Sequence, residues 1–354
     1  MRAESLAFLK ELIAAPSPSG YEEPAARVYR AYAESFADEV TTDRHGNITA
    51  VLNPAAEQKI MLAGHIDEIG FQVNYIDDKG LVYFRGVGGH DSMIPLGHRV
   101  WIHGKQRVMG VIGRKPIHLL EDKERNTRPE LHDLWIDIGV SSAEEAKEFI
   151  SIGDPVTYIY EFEELLNGRA VARGFDNRIG SWVVIEALRR LKQEGGLDPN
   201  VGVYAVATVQ EEIGLRGART AAHRIGAQSG LAVDVTFAID HPGVAKTRYG
   251  ECNIGGGPTI TRGANINPHV FRMLQEAGEK EGVTIQIEAE PGGTGTDANA
   301  MQIAGDAMAT GLVGVPLRYM HTPCELLALS DADGAAQLMA GYCRLVSATT
   351  DFIP

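Results

Sequence analysis

Residues 204–218 read YAVATVQEEIGLRGA. An apolar run ends in two adjacent glutamates, a glycine follows, and a second segment with helical spacing opens near Gly217. This is one strand leading into one helix, and its recurrence along the chain decides the fold class. Like charges at Glu211 and Glu212 repel, and a strand terminus gains no stability from them. Either both are solvated, or each has its own charge partner.

The same grammar appears on both sides. Residues 4–14 carry apolar residues at helical spacing, and a second helix is expected from Pro24 to Phe36. ITAVLN and KIMLAGHID follow as strands, the second nearly continuous in apolar residues, as a buried central strand would be. Downstream, helices are expected near Asn177–Gln193, Gly217–Ile225, Pro268–Glu281, Asp297–Ala304 and Asp331–Ser347. They alternate with the strands VGVYAVATV, GLAVDV, TIQIEA and TGLVGVPL. Alternation of this kind predicts an α/β domain whose mostly parallel central sheet is flanked by helices.

Between Ile69 and Tyr160 the texture changes to short strand-like runs separated by turn signals, such as GLVYFRGV, HRVWIHG and QRVMGVIG. A small β-barrel or sandwich inserted into the α/β domain is expected. The division is 1–68, first part of the α/β domain; 69–164, the insertion; and 165–354, second part. One helix within the insertion, SSAEEAKEFI, has capping-box spacing at Ser142 and Glu145. Residues 120–130, LEDKERNTRPE, read as an exposed loop.

At 354 residues, 44% hydrophobic and 23% charged, the composition is that of a globular protein with a large core. A net charge of −14 argues against nucleic acid, whose binding rests on clustered Lys and Arg. Neither a bilayer-length apolar run nor a signal peptide is evident, so a soluble, cytoplasmic protein with no membrane partner is expected. The three cysteines, Cys252, Cys324 and Cys343, are too few and too scattered for a disulfide framework. The glycine-rich IGGGPTITRG lacks P-loop and dinucleotide spacing, and reads as a tight turn near a site.

Chemistry concentrates at strand ends. His65 and Asp67 follow IMLAG, Asp176 lies in ARGFDN, Glu211 and Glu212 follow AVATVQ, Asp234 follows LAV, and His321 ends VPLRYMH. The carboxyl ends of strands form the ligand crevice of an open α/β sheet, so these residues are expected to converge. Histidines and carboxylates without cysteine suit zinc, cobalt or manganese. Two divalent ions bring four positive charges, and Asp176, Glu212 and Asp234 supply three negative ones beside neutral His65 and His321. A bound hydroxide cancels the remainder, which favours a pair of ions about 3.5–4 Å apart over one.

Asp67 and Glu211 are left over from that count. Asp67 faces the same side as His65 on an extended chain and is placed to accept a ring N–H from His65 or a neighbouring ligand. Glu211 and Glu212 project differently, so one can ligate while the other acts as general base. Each residue has a simpler role open to it. Asp176 and Asp297 could be helix caps, a lone histidine is commonly structural, and paired glutamates are commonly surface charge. Nine further histidines (His45, His90, His98, His103, His118, His132, His223, His241 and His269) lack the joint support. His90, flanked by glycines in VGGHDSM, is the one able to approach a site.

The motifs GHIDEIG, ARGFDNRIG, VQEEIGLRGA, DVTFAIDHPG, IGGGP, GGTGTDA and MHTPCE, in this order, resemble the tetrahedral (TET) aminopeptidases of metallopeptidase family 42 across almost the whole chain. The resemblance implies a zinc-exopeptidase type of α/β fold and removal of N-terminal residues from peptides. It implies a dinuclear centre of zinc or cobalt, with His65 and Asp234 on one ion, Glu212 and His321 on the other, and Asp176 bridging. It further implies Glu211 as general base and Asp67 as orienting residue. The insertion becomes a PDZ-like dimerisation domain, and dimers assemble into a hollow homo-oligomer of twelve subunits. Two other readings compete: a glycoside hydrolase, suggested by a carboxylate pair and an old cellulase label, and a metal-stabilised scaffold without catalysis. The preferred N-terminal residue stays open, although Arg248, Arg262 and Arg318 could form a pocket for an acidic side chain.

Overall fold

A computed structural model describes all residues 1–354. The chain opens with α1 (Ala3–Ala14), α2 (Glu23–Ala33), β1 (Glu39–Thr42), β2 (Ile48–Leu52) and β3 (Gln58–His65). There follow β4 (Gly70–Ile76), β5 (Val82–Val87), β6 (Arg99–His103), β7 (Arg107–Gly113), α3 (Asp122–Arg125), β8 (Trp135–Asp137), α4 (Ala143–Phe149) and β9 (Pro155–Tyr158). Next come β10 (Glu163–Leu165), β11 (Arg169–Ala172), α5 (Phe175–Glu194), β12 (Val201–Thr208), α6 (Arg216–Ile225), β13 (Ser229–Phe237) and α7 (Lys246–Tyr249). The chain ends with β14 (Thr259–Gly263), α8 (Pro268–Glu281), β15 (Gln286–Glu290), α9 (Asp297–Gln302), β16 (Ala309–Arg318), β17 (Glu325–Ala328) and α10 (Leu329–Leu345).

The main sheet runs β1-β2-β12-β3-β13-β16-β17-β11-β10, with β14 and β15 attached beside β16. Its middle, β12-β3-β13-β16, is parallel, and these strands are apolar and buried because helices cover both faces. Antiparallel pairs form the margins. Several marginal strands are invisible to hydrophobic periodicity: β10 is Glu-Glu-Leu, and β17 continues straight into α10. IGGGPTITRG is a turn only in its first half, since its second half forms β14 between β15 and β16.

Alternation sets which helix meets which face. Met61 pairs with Gly230, where an added Cβ would meet Met301 of α9 at 2.6 Å. Gly64, three residues on, faces the opposite side, and a Cβ there would lie 2.4 Å from the Gly180 backbone of α5. That glycine-to-glycine approach draws the start of α5 against the carboxyl end of β3. Sixty-seven buried residues form the core around this sheet, including Trp182 and Tyr342.

Strands β4–β9 close into a six-stranded antiparallel barrel, β4-β5-β8-β7-β6-β9. Fifteen buried residues, among them Phe71, Phe84 and Ile102, form a core of its own, so the barrel is packed around a separate centre. Two local expectations shift slightly. Ser142 caps α4 by accepting from Glu145 N at 3.2 Å, but the Glu145 carboxylate accepts from Ser141 N rather than from the cap residue. The exposed 120–130 stretch contains one helical turn, α3, capped by Glu121 and Glu124. No helix is long and apolar enough to cross a membrane.

Candidate active site

Strand register brings the carboxyl ends together. Thr208 lies opposite His65, so the residues after β12 emerge beside the end of β3, and Asp234 on β13 shares their edge. Gln210 has φ of 56°, which turns the chain after β12 out of the extended conformation. The Glu211 and Glu212 side chains therefore diverge because of a turn and not because of strand alternation. Asp176 does not cap α5; Gly174 occupies that position, and Asp176 hangs into the crevice.

Two triads result: His65, Asp176 and Asp234, and Asp176, Glu212 and His321. In each, one ligand atom per residue lies within 4.8 Å of the others. Asp176 is common to both. Its Oδ1 faces His65 Nε2 at 3.4 Å, and its Oδ2 faces His321 Nε2 at 3.3 Å. His65 Nε2 lies 3.7 Å from Asp234 Oδ1, and His321 Nε2 lies 3.5 Å from Glu212 Oε2. Glu211 Oε2 stands 3.7 Å from His65 Nε2.

The electrostatics are those of crowded, buried carboxylates. Burial, opposed by His65 and reinforced by Asp297, Asp67 and Asp176, pushes Glu211 up to about 8. Burial and neighbouring carboxylates likewise raise Glu212 and Asp234 well above the usual range. Burial disfavours the charged form of His65, but Glu211, Asp176 and Asp67 outweigh it and raise its pKa well above the ordinary value. Asp176 moves the other way, to about 2, because His321 and His65 overcome the cost of its burial.

Asp67 does more than the sequence suggests. His65 Nδ1 meets the backbone carbonyl of Asp67 at 3.0 Å, while the Asp67 carboxylate stands farther off at 3.5 Å. That carboxylate instead accepts from Glu211 N at 3.0 Å, Glu212 N at 3.2 Å and Ser19 Oγ at 2.6 Å. It fixes the backbone that carries both glutamates. Glu325 plays the same part opposite: Oε2 accepts from Asp176 N at 3.0 Å and Oε1 from His321 N at 2.9 Å. Sequence reading missed Glu325, whose only signal is its place in MHTPCE.

The barrel reaches the site through the loop after β5. A Cβ at Gly88 would lie 3.2 Å from Glu212 Oε2, and one at Gly89 would lie 3.4 Å from His321 Nδ1. His90 itself stays outside. Its ring stacks on Phe71 and its Nε2 meets the Gly70 carbonyl at 2.7 Å. His98 and His103 are held by Tyr160 and Thr157. Asp297 is no cap either: it is buried, with Oδ2 accepting from Thr208 Oγ1 at 2.5 Å.

A cavity of about 1250 Å³ contains all six groups His65, Asp176, Glu211, Glu212, Asp234 and His321. A second hollow of about 780 Å³ behind Gln210, lined by Arg44, His45 and Arg224, lacks converging carboxylates. The three arginines do not gather into an acidic-residue pocket. Arg318 pairs with Asp240 at 2.8 Å, Arg262 lies over the Phe271 ring, and only Arg248 lines the cavity, exposed at its edge. The cysteines are free.

Imidazole nitrogens and carboxylate oxygens are the donors that divalent zinc or cobalt accepts. Glu212 faces His321 through Oε2, and its Oε1 is buried without any hydrogen-bond partner, an acceptor free for a cation. The residues present therefore fit such ions. Comparison with known proteins agrees with the geometry. A family description of M42 glutamyl aminopeptidases matches residues 46–338. The chain is 36% identical to the lysyl aminopeptidase of Pyrococcus furiosus over 94% of each chain. It superposes with TM-score 0.92 on a TET aminopeptidase from a marine sediment Thaumarchaeota archaeon, 34% identical over 97% of this chain and 96% of that one. The Pyrococcus horikoshii TET1 peptidase, which can assemble into a tetrahedron or a large octahedral shell, is 31% identical with TM-score 0.84, over 95% and 98% of the two chains.

Proposed function

Because this chain belongs to the M42 family of glutamyl aminopeptidases and is an aminopeptidase, we propose that it removes N-terminal residues from peptides at a centre of two divalent ions, zinc or cobalt. His65 and Asp234 would hold one ion, Glu212 and His321 the other, and Asp176 both. One observation carries this reading: the two oxygens of Asp176 face two separate histidines, each with its own further carboxylate. When bound, the ions supply Lewis acidity toward the peptide carbonyl and lower the pKa of water.

The other steps belong to the chain's residues. Glu211 accepts the proton of the attacking water at its carboxylate and passes it to the leaving amine. The Asp67 carbonyl accepts the Nδ1–H of His65 and so leaves the Nε2 lone pair facing the cluster. The Asp67 carboxylate keeps Glu211 and Glu212 in their diverging positions. Glu211→Gln is expected to lower kcat on leucyl anilide at least 100-fold while two ions per subunit remain bound. Substantial residual activity would show that another group takes the proton.

The site chemistry does not favour a glycosidase, whose carboxyl pair flanks a sugar and leaves histidines without a role. A scaffold would need a closed site, whereas Glu211 stands beside the ligand set as a spare base. The insertion, residues 69–164, is read as the dimerisation domain. It exposes the apolar side chains Met109 and Val111 of β7 together with Ile117 and Leu119 shortly after it, which a partner copy would cover. With TET assemblies among its neighbours, a homododecamer built from dimers in the cytoplasm is the assembly we favour. Light scattering should give about twelve times the 38.2 kDa subunit mass, and a monomer would refute it. The family description names glutamyl substrates and the Pyrococcus furiosus relative lysyl ones, so side-chain preference must be argued from the cavity.

A further inference from the structure

The active-site cavity continues along one face of the sheet. Register sets Asp234 opposite Gly314, Gly314 opposite Thr259, and Thr261 opposite Glu288, so these residues share that face. A Cβ at Gly314 would lie 2.2 Å from Thr259 Oγ1 and 3.0 Å from Thr236 Cγ2. Its absence lets the Glu288 side chain reach across the strands. Glu288 Oε1 accepts from Thr236 Oγ1 at 2.6 Å, and Oε2 accepts from Thr259 Oγ1 at 2.8 Å. Two hydroxyl donors suit the carboxylate, which only accepts.

Glu288 is a charge in want of a partner. Burial and two threonines define its surroundings, with no lysine, arginine or histidine against it. Of the other glutamates in the lining, Glu251 is paired with Lys246, and Glu290, which follows Glu288 by two residues, accepts Gly292 N at 3.0 Å and adds a second negative charge. Arg248 is the one arginine or lysine in the lining, and it is exposed, its guanidinium 5.0 Å from the Tyr249 ring. Thr236 stands two residues beyond Asp234, about 6.6 Å along an extended strand. That span matches a four-carbon stem carrying an ammonium, and Leu312 and Ile239 offer it apolar walls.

We infer that Glu288 selects peptides whose N-terminal side chain is cationic, lysine or arginine, by receiving the ammonium or guanidinium at the far end of the cavity. This rests on the reading that the first peptide carbonyl lies at the carboxylate cluster. In the zinc- or cobalt-supplied enzyme, kcat/KM for lysyl and arginyl anilides should exceed that for leucyl anilide at least tenfold, with glutamyl anilide lowest. Lysinamide should inhibit leucyl-anilide hydrolysis at least tenfold more tightly than norleucinamide, its uncharged analogue. E288Q should cut the lysyl-to-leucyl ratio at least tenfold, and E288K should turn preference toward glutamyl anilide. A wild-type enzyme indifferent to side-chain charge overturns the assignment, as does a folded E288Q that keeps its lysyl preference. The inhibitor pair decides the matter if the variants fail to fold. Undiminished hydrolysis by Glu211→Gln would sink the water-activation reading instead, and leave the Glu288 ratios to be read on their own.

Discussion

Glu325 is 2% exposed, yet its carboxylate touches neither triad's ligand atoms. It accepts the backbone N–H groups of Asp176 and His321, whose side chains meet at 3.3 Å. Glu325→Gln keeps the size but turns one acceptor into a donor, so one of those N–H groups loses its partner. Metal affinity measured by chelator competition should fall about 10- to 100-fold, with the fold retained by circular dichroism. Unchanged affinity would make Glu325 a passive packing residue. The sequence located the groups that converge because a carboxylate or histidine at a strand's carboxyl end has one place to go. It did not reveal Glu325 or the true partners of Asp67, because both bind backbone N–H groups whose direction depends on turns, such as the positive φ of Gln210.

At the level of elements, the Glu68 carboxylate joins the start of α5 to the segment after β3. It contacts Arg173 at 2.6 Å, Arg178 at 2.9 Å and Ser17 N at 3.0 Å, all buried. Burial alone would raise its pKa, but the two guanidiniums outweigh that and hold the carboxyl below its usual range. A depressed folded-state pKa adds stability above about pH 4.5 that is lost as pH falls through the folded value. His103 acts in the same direction. Burial and Arg173 lower it to about 4, so the unfolded chain binds a proton first and stability declines from about pH 6.5 to 4. Melting temperature should therefore drop across this range. Glu68→Gln should cost about 3–5 kcal/mol at pH 7, because two buried guanidiniums lose their charge partner, and should flatten the lower part of that pH dependence. Chemical denaturation at pH 7, at pH 4.5 and at about pH 3 checks both, and a variant as stable as wild type at pH 7 would refute the assignment. The main helices and central strands were legible from periodicity, whereas β10, β14 and β17 were not. They are short or polar: β10 pairs with β11, which follows it in the chain, while β17 and β14 gain pairing from the distant β11 and β16.

For the whole molecule, the barrel and the α/β domain have separate cores but share one functional edge. The Gly88–Gly89 loop brings the barrel against Glu212 and His321, so movement of the insertion would be felt at the cluster. The insertion was readable from its change of texture. Its contact with the site was not, because it depends on two glycines without side chains and on closure of the barrel. All of these features bear on one claim, that the converging residues form a two-ion hydrolytic centre around Asp176. The most direct measurement is anomalous diffraction at the zinc or cobalt edge from crystals of the metal-supplied enzyme. Two peaks per subunit are expected, one beside His65 and Asp234 and one beside Glu212 and His321, with the Asp176 carboxylate between them. A single peak, or two peaks that Asp176 does not join, would contradict the claim.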